Sequence, residues 1–186
     1  MALDSKVLGT PNRRIAVFAL VLFAFDQFTK FLVLQFLGKG QERILIDGFF
    51  KFVRWGNTGA AWSLFPGNNE LLAIIALVAL LVLFLSRHHF ESRTLLGQIA
   101  FGLIFGGITG NLIDRLRVGH VIDFIYFYVQ PRGRGEIGFP AFNVADSAIC
   151  IGVVLVFLIT WSSERKAKPA DSAPAAETPQ PQRKAD

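Results

Sequence analysis

Four aspartates in this chain call for an explanation: Asp26, Asp114, Asp123 and Asp146 each lie in or beside a long apolar run. An acid at the centre of a bilayer costs about 2.5–3.5 kcal/mol on insertion scales, so such a residue normally has a partner or a task. Asp26 has a partner close by. Lys30 is four residues on, on the same helical face, where the two charges neutralise each other and fix the position of a helix near an interface. Asn111, Asp114 and Arg115 occur within Gly-Asn-Leu-Ile-Asp-Arg, and Asn111 and Arg115 share a face, which suits a local hydrogen-bond cluster. Asp123 and Asp146 differ, because neither has a cation near it in the sequence. Asp123 is embedded in Val121-Ile122-Asp123-Phe124-Ile125, and Asp146 follows Phe142-Asn143 at the start of an apolar stretch. Two poorly hydrated carboxylates brought together cannot both ionise. One pKa rises, the pair shares a proton, and the ionised member activates water while the protonated one polarises a carbonyl. The same acids would also suit a proton relay, or would simply accept structural hydrogen bonds.

Other chemistries find less support. Cys150 is the single cysteine, and two of the three histidines, His88 and His89, are adjacent, so neither a disulfide framework nor a zinc site is expected. Cys150 reads as a small core residue among apolar neighbours. Ser63 and Ser147 lack a recognisable base, and His120 reads as an interface residue.

These side chains must be positioned by elements that cross a membrane. Of the 186 residues 52% are apolar and only 18% charged, against about 25% in average soluble domains, and the mean hydropathy is +0.45. That excludes a predominantly disordered chain and argues against a water-soluble globule. The net charge of +5 comes from bases scattered around apolar runs, with no nucleic-acid-binding signature, so nucleic acid is not an expected partner. A helix crosses the hydrocarbon core with about 20 residues, and four runs qualify: 15–37, 71–86, 94–113 and 140–163. An even number of spans places both termini on one side, and the balance of Lys and Arg between the two sides is too even to say which. The first run also resembles a signal peptide, but Asp26 follows the apolar stretch directly and no small-residue cleavage site does. Gly102, Gly106 and Gly110 fall on one helical face, where small residues let another backbone approach. Segment 44–55 reads as strand-like around a turn at Asp47-Gly48, segment 130–138 as a flexible flap or hairpin, and residues 164–186 as a disordered tail.

Taken in order, five pieces resemble one family, the lipoprotein signal peptidases (signal peptidase II) of bacterial inner membranes. They are Asp26-Gln27-Phe28-Thr29-Lys30, Asn57-Thr58-Gly59-Ala60-Ala61, the stretch from Gly106 to Arg115, Val121-Ile122-Asp123-Phe124, and Phe142-Asn143-Val144-Ala145-Asp146. The resemblance covers residues 13–163. It implies an all-α membrane protein of four transmembrane helices with a small periplasmic β-sheet and a short periplasmic loop or helix segment. It implies Asp123 and Asp146 as a catalytic dyad, with Asn111, Arg115 and Asn143 orienting the dyad or meeting substrate. Asp26 and Lys30 are then a supporting pair, Asn57 and Gly59 the loop beside the site, and Asp114 the residue that holds Arg115. The implied reaction is removal of signal peptides from diacylglyceryl-prolipoproteins, just before the lipidated cysteine, by a monomer among membrane phospholipids. Both termini would be cytoplasmic and the dyad near the periplasmic face. Neither metal nor cofactor is implied, since two carboxylates and water suffice. The glycine face and the polar notch of the first span are expected to shape the acyl-chain groove. Pro131-Arg132-Gly133-Arg134-Gly135-Glu136 looks like an insertion relative to the family pattern, with Arg132 and Arg134 facing water or lipid phosphates. The rival readings are a small proton-coupled transporter that uses the two acids as a relay, and a non-catalytic scaffold.

Overall fold

A computed structural model describes residues 10–59, 67–86 and 94–167. Ala60, Ala61, Ser63, His88, His89 and residues 168–186 lie outside the described residues, as do the expectations that fall on them. The four helices are α1 (Pro11–Phe36), α2 (Asn69–Ser86), α3 (Leu95–Val118) and α4 (Val144–Ala167). A four-stranded antiparallel sheet, in the order β1 (Glu42–Ile46), β2 (Phe50–Asn57), β3 (Val121–Val129) and β4 (Ile137–Gly138), sits at one end of the bundle.

Each boundary has a local cause. Pro11 occupies the first turn of α1, where its missing N–H would go unpaired in any case. At the other end the Arg54 guanidinium donates to the carbonyls of Leu37 (2.9 Å) and Leu34 (3.4 Å), so that β2 caps the helix that precedes the sheet. The Thr94 hydroxyl accepts from Gly97 N–H (3.1 Å) to start α3, and Gly119, at φ 76°, ends it in the left-handed conformation that glycine adopts without strain. The third span is therefore longer than its apolar run. It continues past Ile113 through Asp114 and Arg115, because both side chains find partners.

The centre of the bundle is α3. More than half of its apolar window (56%) is buried by the other elements, against 11% for α1 and α2 and 17% for α4. The outer faces of those three helices carry Leu20, Val21, Phe28, Ile74, Leu77, Leu81, Val153 and Phe157, all exposed, which suits a hydrocarbon surround and not water. Gly106 of α3 lies so close to α1 that a Cβ there would sit 2.6 Å from the Ala19 carbonyl. Gly102 meets Phe18 and Ala19 on the same helix, and Gly110 faces Asp26. The glycine face is thus a closed helix–helix seam. The expected acyl-chain groove along it is corrected: backbone contact, driven by packing in a solvent that offers no hydrophobic drive, already fills that space.

The sheet grows out of the helix ends. The expected hairpin of 44–55 is β1 and β2, with Gly48 at φ 70° in the turn. β3 follows α3 after Gly119 and His120 and pairs with β2 at Lys51↔Tyr126 and Trp55↔Asp123, with a register shift between. Segment 130–138, expected as a flap or hairpin, closes the β3–β4 hairpin, and the described residues there form no helix. Residues 140–143 are extended and not the start of a span: Phe142 exchanges backbone hydrogen bonds with Ile125 (2.9 and 3.0 Å) before α4 begins. At its other end α4 runs to Ala167, so the first residues of the expected tail are helical.

Candidate active site

The site begins with the first turn of α4. Asn143 stands just before that helix, and its Oδ1 accepts from the Asp146 N–H (3.0 Å) while the Asp146 carboxylate accepts from the Asn143 N–H (3.1 Å). This is a reciprocal capping box, with aspartate in the place more often held by glutamate. It fixes one oxygen of Asp146. The other accepts from Asn111 Nδ2 of α3 at 2.7 Å.

Asn143 does more than cap. Its Nδ2 donates to Asp123 on β3 (2.8 Å) and to Asn111 Oδ1 (3.2 Å), so Asn143 binds the Asp123 carboxylate with its side chain and the Asp146 carboxylate with its backbone N–H, and it also meets α3. The second oxygen of Asp123 accepts from Asn57 Nδ2 at the end of β2 (3.0 Å), and Asn57 Oδ1 receives the Gly59 N–H (2.9 Å). Both acids face the same cavity. Burial, and then the neighbouring charge of Asp146, push the Asp123 carboxyl up to about 7, against the opposing hydrogen bonds of Asn57 and Asn143 and the charge of Lys30.

Beneath the two acids lies a dry polar layer. Asp26 is fully buried and Lys30 is 1% exposed. The Lys30 ammonium contacts Asp26 (2.8 Å), Asp114 (2.7 Å) and Asn111 (3.0 Å). Asp26 Oδ1 accepts from the Ala145 N–H at the start of α4 (3.0 Å), where the helix dipole favours an anion. Lys30 thus links α1 to Asn111, which orients Asp146. Gln27, which lies in the first motif but was not singled out as a site residue, donates to Asp26, to the Gly110 carbonyl and to Asp114 (3.0 Å). A signal for it was present: an amide side chain between two charges inside an apolar run has to be hydrogen-bonded.

The expectation that Asp114 holds Arg115 is corrected. Asp114 is occupied by Lys30, Gln27 and the Ile122 N–H. Arg115, on the next face of α3, donates instead to the Gly59 carbonyl (2.8 Å) and to Asn69 of α2 (3.4 Å). Asn69 returns a bond to the Arg115 carbonyl, a contact between helices that no motif in the chain announces.

The cavity has a volume of about 700 Å³. Asp123, Asp146, Asn111, Arg115, Asn57 and Gly59 line its polar side, and Trp55, Val121, Phe139, Phe142 and Ile149 line its apolar side. Cys150 also lines it and is exposed, which corrects its reading as a core residue: one helical turn beyond Asp146, it faces the same space. Ser147 faces the cavity too, with its hydroxyl returned to the Asn143 carbonyl. Among the described residues no group of three or more His, Cys, Asp or Glu side chains is placed to hold a metal ion.

The chain has close relatives. The family model described as signal peptidase (SPase) II matches residues 18–162. A lipoprotein signal peptidase of Nostoc punctiforme is 41% identical over 150 residues, covering 81% of this chain and 90% of that one. One of Bacillus pumilus is 36% identical over 154 residues, covering 82% and 95%. A solved bacterial membrane enzyme superimposes with a TM-score of 0.72 at 30% identity, covering 84% of this chain and 93% of that one. A second gives 0.64 at 33% identity, covering 77% and 90%. With these matches added to the four apolar helices and the small sheet, the chain belongs to the signal peptidase II family, a family of multi-pass bacterial membrane proteases.

Proposed function

We propose that this protein is a membrane-embedded aspartyl endopeptidase that removes signal peptides from prolipoproteins, cutting just before a cysteine that already bears a diacylglyceryl thioether. The observation that carries the reading is the placing of Asn143, which holds the Asp123 carboxylate with its side-chain amide and the Asp146 carboxylate with its backbone N–H, beside a cavity lined by both acids. In this reading the dyad holds one proton. Asp123, with its pKa near 7, keeps it and donates a hydrogen bond to the scissile carbonyl oxygen. Asp146, whose oxygens are aimed by Asn111 and the Asn143 backbone, accepts a proton from the attacking water. The tetrahedral intermediate collapses as that proton passes to the leaving amine. Lys30, Asp26 and Asp114 hold the donors in place and never meet the substrate.

The lipid is recognised by ordinary burial. Asp146, Ile149, Cys150, Val153, Val154 and Phe157 form one stripe down α4, from the acid to the exposed apolar flank. Acyl chains laid along that stripe leave water at about 0.8 kcal/mol per methylene, which discriminates strongly against an unmodified cysteine. Both termini are assigned to the cytoplasmic side and the sheet to the periplasmic side. Supporting this are the even number of spans and the need for the dyad to meet a translocated precursor.

The decisive experiment replaces each acid in turn. Asp123→Asn and Asp146→Asn should still bind lipidated precursor while turnover falls by roughly 10³-fold. Near wild-type cleavage by either variant, or equal rates on lipidated and unlipidated precursors, rejects the proposal.

A further inference from the structure

One charged cluster lies outside this mechanism. Lys51, in the middle of the sheet on β2, is only 4% exposed, and its ammonium sits 2.6 Å from Glu42 of β1 and 2.8 Å from Glu136 beside β4. It also stands over the rings of Tyr128 (4.7 Å) and Tyr126 (5.3 Å) on β3, which stack on each other. Burial works against its charge, but the hydrogen bonds and charges of Glu136 and Glu42 outweigh burial and raise its pKa above the ordinary lysine value. The cation therefore persists at every working pH. An apolar residue of the same volume would fill this position at lower desolvation cost, so the charge itself needs a reason.

The reason lies in what the cation joins. Glu136 belongs to the segment that looks like an insertion, and the β4 it precedes is only two residues long, pairing as Tyr128↔Gly138 and Val129↔Ile137. So short a hairpin is marginal without further contacts. Gly138 packs against the Tyr126 ring with no room for a Cβ, which brings the hairpin backbone down onto the face that carries Lys51. Immediately beyond, Phe139, Pro140, Ala141 and Phe142 form one wall of the cavity and lead into Asn143.

We infer that Lys51 is a positioning residue for substrate capture: by clipping Glu136 to the sheet it fixes the 139–142 wall against which the substrate peptide lies, without touching the reacting atoms. The inference rests on the peptidase reading above. It predicts a division of effects, with KM moved and kcat left alone.

The test uses the full-length enzyme in lipid nanodiscs with a diacylglyceryl-modified fluorogenic peptide. Glu136→Gln should raise KM about fivefold, the scale of a part-exposed ion pair, with kcat within about twofold of wild type. Lys51→Met should raise it at least as much, the double variant should be no worse than Lys51→Met alone, and Lys51→Arg should restore most of the affinity. Hydrogen exchange should quicken in Glu136→Gln at the Phe139 amide, which bonds the Phe127 carbonyl at 2.9 Å. An unchanged KM with unchanged exchange overturns the inference. So does a loss confined to kcat, or a full further effect of Glu136→Gln on top of Lys51→Met. If Lys51→Met does not accumulate as folded protein, Glu136→Gln and its exchange decide the matter. A wild-type enzyme that fails to cut, indistinguishable from Asp123→Asn, would instead mark failure of the peptidase reading.

Discussion

Asp123 and Asp146 reach the same asparagine from different elements, and burial and the charge of Asp146 lift the Asp123 carboxyl against the hydrogen bonds of Asn57 and Asn143. In the proposed mechanism, with the Asp123 carboxyl near 7, raising the pH through that value strips the dyad's proton, so kcat/KM should fall on the alkaline side with an apparent pKa near 7. The Asn57 amide favours the ionised form of Asp123, so Asn57→Ala should move that alkaline limb to higher pH, and a pH–rate profile of the two proteins checks the direction. Cys150 supplies a second residue-scale prediction. A bulky maleimide on this cavity thiol should raise KM for lipidated substrate, while Cys150→Ala should stay active and become insensitive to the reagent. The acids were legible because a carboxyl group in an apolar run must have a partner or a task. Asp114 was misassigned because helical spacing shows which residues of one helix share a face and not which neighbouring helix that face meets. Only the tertiary structure turns Asp114 toward Lys30 and Arg115 toward Asn69.

Among the elements, α3 is the pivot, and its contacts say what would break it. Among the described residues Lys30 is the single cation paired with both Asp26 and Asp114, and Lys30→Met leaves two buried carboxylates without it. Such uncompensated burial costs about 3–5 kcal/mol, to be read from the thermal denaturation of purified protein in detergent, and Asp114→Asn in the same chain should recover part of the loss. Gly106→Val should force α1 and α3 apart at a cost of about 1–3 kcal/mol by the same measurement. The spans could be read from apolar length alone, but their ends could not. Hydropathy stops at Ile113, whereas the helix stops where Gly119 permits a left-handed turn, and Pro140 begins an extended stretch where the apolar count begins a helix. β3 itself went unread, although Val-Ile-Asp-Phe-Ile-Tyr-Phe-Tyr-Val is β-branched and aromatic throughout. Its pattern lacks the polar alternation of a half-exposed strand, since most of its residues are buried, Tyr126 and Tyr128 against Val53 of β2.

For the molecule as a whole, the start of α1 and the end of α4 lie at the opposite end of the bundle from the sheet, and the orientation assigned to them is open to direct test. In a Cys150→Ala background, Gly135→Cys in the β3–β4 turn should react with a membrane-impermeant maleimide added to spheroplasts, and Ser162→Cys near the end of α4 should react only after lysis. The reverse pattern would invert the assigned topology. The capping box at the start of α4 carries a wider implication. Asp146 takes its aim from the turn of helix it initiates, and it reaches Asn111 only when that last helix has docked on the third. Under the proposed mechanism, a nascent chain still threading its final segment into the membrane holds no cutting edge. In the proposed mechanism the site is therefore assembled only when the whole bundle is.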